Sequence, residues 1–230
     1  MSDKDKLLAA LTLTRVLRAP RQTLATFGIT TVNYHILTRP AYADGGEPPE
    51  TVVRQGRVVT EKPRIVTAYY MSMLEGFSSQ ARQYFENMSR SAGGRRPGIY
   101  YTYRNEPGGM EIVGDGIEAV AERISSDIDR RGDRLAAIIT GQDDLWDVSL
   151  MKFVLELTGN SVHSNLVEMH SRGLLETDRQ GIPMEARLNI ERMIASVRAG
   201  EANPRELKDE LERWGLFEEY QDRFLAIFRR

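Results

Sequence analysis

The chain has 230 residues, 41% hydrophobic and 28% charged, the balance of an ordinary globular protein long enough to bury a sizeable core without covalent staples. A formal net charge of -2 argues against a general polyanion binder, while leaving room for a local basic patch. Zero cysteines exclude disulfides, thiol catalysis and thiolate zinc sites, and fit a reducing cytoplasm.

No apolar stretch approaches the roughly 18–20 residues needed to span a bilayer. The opening MSDKDKLLAALTLT carries both Asp and Lys before a short apolar segment, unlike the basic start and longer apolar region of a secretory signal. The expected location is the cytoplasm, with no membrane partner.

Residues 3–17 place Leu7, Leu8, Leu11 and Val16 at helical spacing. Pro20 opens a second short helix, with Leu24 and Phe27 inward and Gly28 as its stop. Thr30 to Thr38 alternates, with Val32, Tyr34 and Ile36 on one face, and predicts a half-buried strand. The Gly- and Pro-rich Ala41–Glu50 is a loop. TVVRQGRVVTEK reads as a hairpin turning at Gln55-Gly56, and a long helix from Thr67 carries Tyr70, Met73, Leu74, Phe77, Ala81, Tyr84, Phe85 and Met88 inward. PGIYYTYRNEPGGMEIVGD predicts another hairpin, turning between Glu106 and Gly109. Asp115 then caps a helix that buries Ile117, Val120, Ala121, Ile124 and Ile128 and stops at Gly132. Leu135–Thr140 fits a helical turn capped by Asp133, with a strand as the alternative.

From Gly141 to Leu157 the pattern is a helix apolar on most of its circumference, with Trp146, Leu150, Phe153, Val154 and Leu157 on one arc. Val148, Met151 and Leu155 extend that arc, and Ser149, Lys152 and Glu156 form the narrow solvated stripe. Further helices follow: one from Asn160 or Ser161 to Gly173, one from Pro183 to Gly200, and one capped by Asn203 with Pro204 at its first position. A last amphipathic helix carries Phe217, Tyr220, Phe224, Leu225 and Phe228. Strands first and helices afterwards predict an α+β fold. It is a small antiparallel sheet of hairpins packed on helices, then a mostly helical half built round a buried helix at about residues 144–158. The expected division is an α+β region at 1–140 and a helical region at 141–230, packed as one unit.

The sharpest chemical lead is Asp143, Asp144 and Asp147 at the start of the central helix. Carboxylates belong in first turns, where free N–H groups and the helix dipole favour them. Turned into a closed site, the same three would need a cation. This DDxxD pattern resembles the first metal motif of isoprenoid and terpene synthases, and Asn160, Ser164 and Glu168 have the spacing of the second. The resemblance implies magnesium holding a prenyl diphosphate, and it covers only the stretch from Asp143 to Glu168.

Other motifs weigh less. Gly114-Asp115-Gly116-Ile117-Glu118-Ala119 has dinucleotide-fingerprint spacing, but Asp115 and Glu118 would repel the pyrophosphate at the N–H groups meant to attract it. Arg95 and Arg96 beside Tyr101 and Tyr103 suit stacking and phosphate contact with single-stranded nucleic acid. The alternative is a tyrosine-bearing strand packed on a helix. Leu150–Leu175 has the outline of a helix-turn-helix, but its reading helix carries a single arginine. His35, His163 and His170 make no metal motif and read as ordinary, partly exposed side chains.

With no complete catalytic constellation, the sequence reads as a cytoplasmic, non-catalytic binding or regulatory protein with no assigned cofactor. Its partner is a protein or small molecule, and its aromatic C-terminal helix suits a homo-oligomer. Two alternatives stay open. One is an enzyme using Mg2+ at Asp143, Asp144 and Asp147 on a phosphate-containing substrate. The other is a nucleic-acid module using Arg95, Arg96, Tyr101 and Tyr103.

Overall fold

The structure is a computed structural model and describes residues 3–42, 49–67, 69–70, 73 and 98–228. It is α+β, with two compact units: residues 1–62 with 101–165, and residues 63–100 with 166–230. Most of the helix expected from Thr67 lies outside the described residues, as do Arg95 and Arg96.

In the first unit a helix α1 (Asp3–Leu13) leads into strand β1 (Arg15–Arg18). Strands β2 (Thr30–Thr38) and β3 (Thr51–Thr60) follow. A short β4 (Arg64–Val66) pairs with β5 (Gly98–Tyr100) in the second unit, and β6 (Tyr103–Val113) returns to the first. Helix α2 (Ile117–Arg131) then crosses to β7 (Ala136–Thr140). The sheet has five strands in the order β1-β7-β2-β3-β6. Its pairings are antiparallel except for β2 with β7.

Leu135–Thr140 is thus a strand and not a helical turn. Ala136, Ala137, Ile138 and Ile139 are all buried, as expected of a strand covered on both faces. The alternation is visible in what they touch. Ala137 and Ile139 join Val32, Tyr34, Ile36, Leu150 and Phe153 in one core. Ala136 and Ile138 join Leu37, Val53, Val120 and Ile128 in another, beneath α2. As expected, α2 stops at Gly132, which takes the left-handed conformation with φ 66°. Its N-cap is Gly116 and not Asp115; the Asp115 carboxylate is paired with Arg123.

Two expected turns are absent, for one reason. β3 has β2 on one side and β6 on the other along its whole length, so Gln55-Gly56 cannot turn. Gly56 instead marks a close approach: a Cβ there would overlap the Tyr34 hydroxyl and come within 2.8 Å of the Glu106 carbonyl. Pro107-Gly108-Gly109 likewise stays within β6. Gly56 pairs with Pro107 and Arg54 with Met110, so Gly108 and Gly109 together face Gln55 as a bulge. β6 is at the sheet's edge among the described strands, where a proline and a bulge are tolerated.

The N-terminal segment also departs from its pattern. Val16 lies in β1, and Pro20 opens no helix. Residues 19–29 are held instead by side chains of the long helix α3 (Trp146–Ser171), which follows a 3-10 turn at Asp143–Leu145. Ser161 Oγ accepts from Leu24 N at 3.0 Å, and Asn165 Oδ1 accepts from the Thr26 hydroxyl at 3.1 Å. α3 runs without a break through the position where a new helix was expected at Asn160 or Ser161. The division between units falls within it, after Asn165.

The expected arc of α3 packs into the core, with Leu150 and Phe153 buried and Trp146, Val154 and Leu157 partly buried against them, but its expected flanks do not follow. Ser149 is fully buried and hydrogen-bonded to the Thr14 hydroxyl at 2.8 Å, whereas Met151 and Leu155 are 72% and 73% exposed. Gly141 permits this, because a Cβ there would overlap Ser149 Oγ. The helix therefore buries Leu150, Phe153, Ser161 and Asn165 along one face, and its polar members are satisfied by the chain they tether.

In the second unit, α4 (Met184–Ala199), α5 (Pro204–Arg213) and α6 (Phe217–Ala226) close round Ile190, Ile194, Leu207, Leu211 and Trp214. Asn203 caps α5 as expected, accepting from Arg205 N at 2.9 Å. The connector before α4 is ordered by Asp178, which accepts from Gln180 N and Ile182 N and pairs with Arg187. Tyr220 and Phe224 of α6 are spent on the unit's own core, and Phe228 is exposed. Within this core Glu210 is 2% exposed. It accepts from Arg64, from the Tyr70 hydroxyl at 3.0 Å and from Trp214 Nε1 at 3.0 Å.

Two stability predictions follow from these contacts. Gly56→Ala should cost about 1–3 kcal/mol by forcing Tyr34 off its position, measured by urea unfolding; an unchanged midpoint would refute the close-approach role. Glu210→Ala strands a buried guanidinium, a phenol and an indole N–H, and should cost about 3–5 kcal/mol. Loss of less than about 1 kcal/mol would show that water replaces the carboxylate.

Candidate functional site

Odd-numbered residues of β2 and β3 point to the side of the sheet that carries α2, since Leu37 and Val53 lie in the core beneath that helix. On the same face His35 pairs in register with Gln55 and Ile138. One helix cannot cover five strands. Beside α2 a polar groove lies open over β2, β3 and β6. It has two depressions, of about 490 and about 290 Å³, that share His35, Gln55 and Arg131.

Small residues shape its floor. The bulge lays Gly108 directly over β3, where a Cβ would come within 2.9 Å of the Gln55 carbonyl, and a Cβ at Gly109 would lie 3.3 Å from Gln55 Nε2. One wall is the end of α2. Arg131 closes the helix, Gly132 reverses the chain, and Asp133 is brought over β2, where its carboxylate accepts from Asn33 Nδ2 at 2.8 Å and from Leu135 N at 2.9 Å. At the other end Arg57 is paired with Glu106, which also binds Arg104. In the smaller depression Arg130 is paired with Asp127.

His35 forms the centre. Its Nδ1 is buried and has no hydrogen-bond partner among the described residues. Burial, reinforced by the positive charge of Arg131, holds its pKa below the ordinary 6.5 against the pull of Asp133 and Glu111. The ring is thus kept neutral near pH 7, and the residue lines both depressions. A buried polar atom of this kind calls for a partner.

The sequence-derived sites fare differently. Asp143 is not free for a cation: Arg54 holds it at 2.5 Å, the Thr38 hydroxyl at 2.6 Å and Ala41 N at 3.2 Å. Burial opposes its ionisation, but the bonds from Thr38 and Arg54 prevail and keep its pKa below 3.8. Asp144 and Asp147 are exposed, and the Asp147 carboxylate accepts from Val148 N. Among the described residues no group of three His, Asp or Glu side chains is placed to hold a metal ion. Tyr101 and Tyr103 stack with ring centres 6.3 Å apart, and both hydroxyls are bound to α3, through Asn165 and Thr158. Burial raises the pKa of each.

Sequence reasoning set His35 aside as ordinary, took Asp133 only as a helix cap and passed over Arg131. His35 comes from β2 and the other two from the end of α2, with no motif spacing to join them. The PGG in β6 was the available signal, since glycine within a strand marks a bulge or a close backbone approach.

No family model matches this sequence, and comparison with curated proteins and with solved structures finds no significant match.

His35 makes stability depend on pH with a definite sign. Its pKa is lower in the folded than in the unfolded chain, so unfolding takes up protons and stability falls as pH drops below the ordinary value of 6.5. In urea titrations between about pH 7.5 and about pH 5, the wild type should lose more stability than His35→Gln. Parallel pH profiles for the two would refute burial of the neutral ring.

Proposed function

We propose that this is a cytoplasmic, non-catalytic binding protein whose ligand is a small polar molecule seated in the groove beside α2. The observation that carries the reading is His35, which lines both depressions and whose buried Nδ1 has no hydrogen-bond partner among the described residues. Binding sites are concave, with a few convergent polar groups and a perturbed titratable residue, and the groove has these features. Its lining carries donors and acceptors but no Ser, Thr, Cys or Lys nucleophile. That favours holding a ligand over covalent chemistry. No helix among the described residues is long and apolar enough to cross a membrane, and the cysteine-free composition suits a reducing compartment.

The test is ligand-observed NMR with pooled amino acids, nucleotides and sugar phosphates. At least one pool should bind the wild type, and binding should be weakened about tenfold or more by His35→Ala and by Gly108→Val, which fills the floor. Failure of every pool to bind, or binding indifferent to both substitutions, would refute the assignment of the groove.

A further inference from the structure

The charges in the groove are not all spent, and the unspent ones have both signs. Arg57 and Arg104 share Glu106, and Arg130 is paired with Asp127. Arg131 donates Nε to the Asp127 carbonyl at 3.3 Å and forms no ion pair with a described residue. Asp133 is oriented by Asn33 Nδ2 and Leu135 N, two neutral donors, and likewise forms no ion pair with a described residue, Arg18 acting on it only at longer range. Both line the larger depression. Glu111, in the smaller one, is a second carboxylate without a described partner.

A guanidinium and a carboxylate that share a depression without pairing can both be satisfied by a ligand that bridges them. An anion alone would answer Arg131 and be repelled by Asp133 and Glu111. A cation alone would reverse the problem. We propose that the groove takes a small zwitterion, an α-amino acid or a molecule ending in one, with its carboxylate on Arg131 and its ammonium group on Asp133. Arg131 has the planar fork that receives a carboxylate on two parallel N–H donors. Asp133 offers an acceptor already oriented by the turn after α2, which lowers the entropic cost of binding. The His35 ring and the Gln55 side chain line the same depression and remain for the rest of the molecule, and about 490 Å³ accommodates any amino acid. The inference rests on the binding reading above.

The test uses the full chain and the imidazole NMR signal of His35, assigned by its loss in His35→Gln. A pool of L-amino acids should shift it. The same amino acids as amides, which lack the anion, or as N-acetyl derivatives, which lack the cation, should bind at least about tenfold more weakly. Because these arms use the wild type, they hold even if a variant fails to fold. Arg131→Gln should abolish the preference over the amides and Asp133→Asn the preference over the N-acetyl forms. Equal binding of zwitterions and singly charged analogues would overturn the proposal. If nucleotides or sugar phosphates shift His35 and amino acids do not, the ligand class is wrong and the groove stands. If no pool shifts it, the binding reading falls as well.

Discussion

The parallel pairing of β2 with β7 is the constraint from which the first unit is built. It puts β7, buried on both faces, beside β2, so each successive side chain of β7 must find a core on alternating sides. Ile138 and Ile139 are neighbours in sequence and belong to different cores. A parallel neighbour cannot be reached by a tight turn, and here α2 makes the crossover from β6 to β7. The helix that enters β7 covers one face and the helix that leaves it covers the other. Loss of this pairing would leave α2 and α3 without a common surface.

The candidate site follows from the same constraint. α2 lies against β7 and β2, and the face of β3 and β6 beside it stays open. The bulge at Gly108 and Gly109 deepens that opening, and the left-handed turn at Gly132 delivers Asp133 to its rim. Neither feature is needed to close the hydrophobic core. Both determine which polar groups meet over His35.

The second unit uses buried polarity for a different end. Glu210 sits among three donors on separate elements, Arg64 on β4, Tyr70 after it and Trp214 at the end of α5. Such a network is costly to break, because each partner would be left buried and unsatisfied. Glu210 is engaged wholly by groups of its own unit, although Arg64 Nε in the same network has no partner among the described residues.

Local sequence alone settles what local physics governs: the alternation of β2, the apolar face of α2 and its glycine stop, the Asn203-Pro204 start of α5, and the α+β class. It misleads where a distant partner overrides local preference. Gln55-Gly56 and Pro107-Gly108-Gly109 carry turn residues, yet pairing of β3 with β2 and of β6 with β3 holds both segments extended. Ser149 has the polarity of a surface residue, yet Thr14 accepts it in the interior. The groove is furthest from sequence reach, because His35, Gly108, Arg131 and Asp133 come together only through pairing and crossover. Periodicity within a segment reports which face is apolar; which groups converge on a ligand is decided by how the segments are stacked.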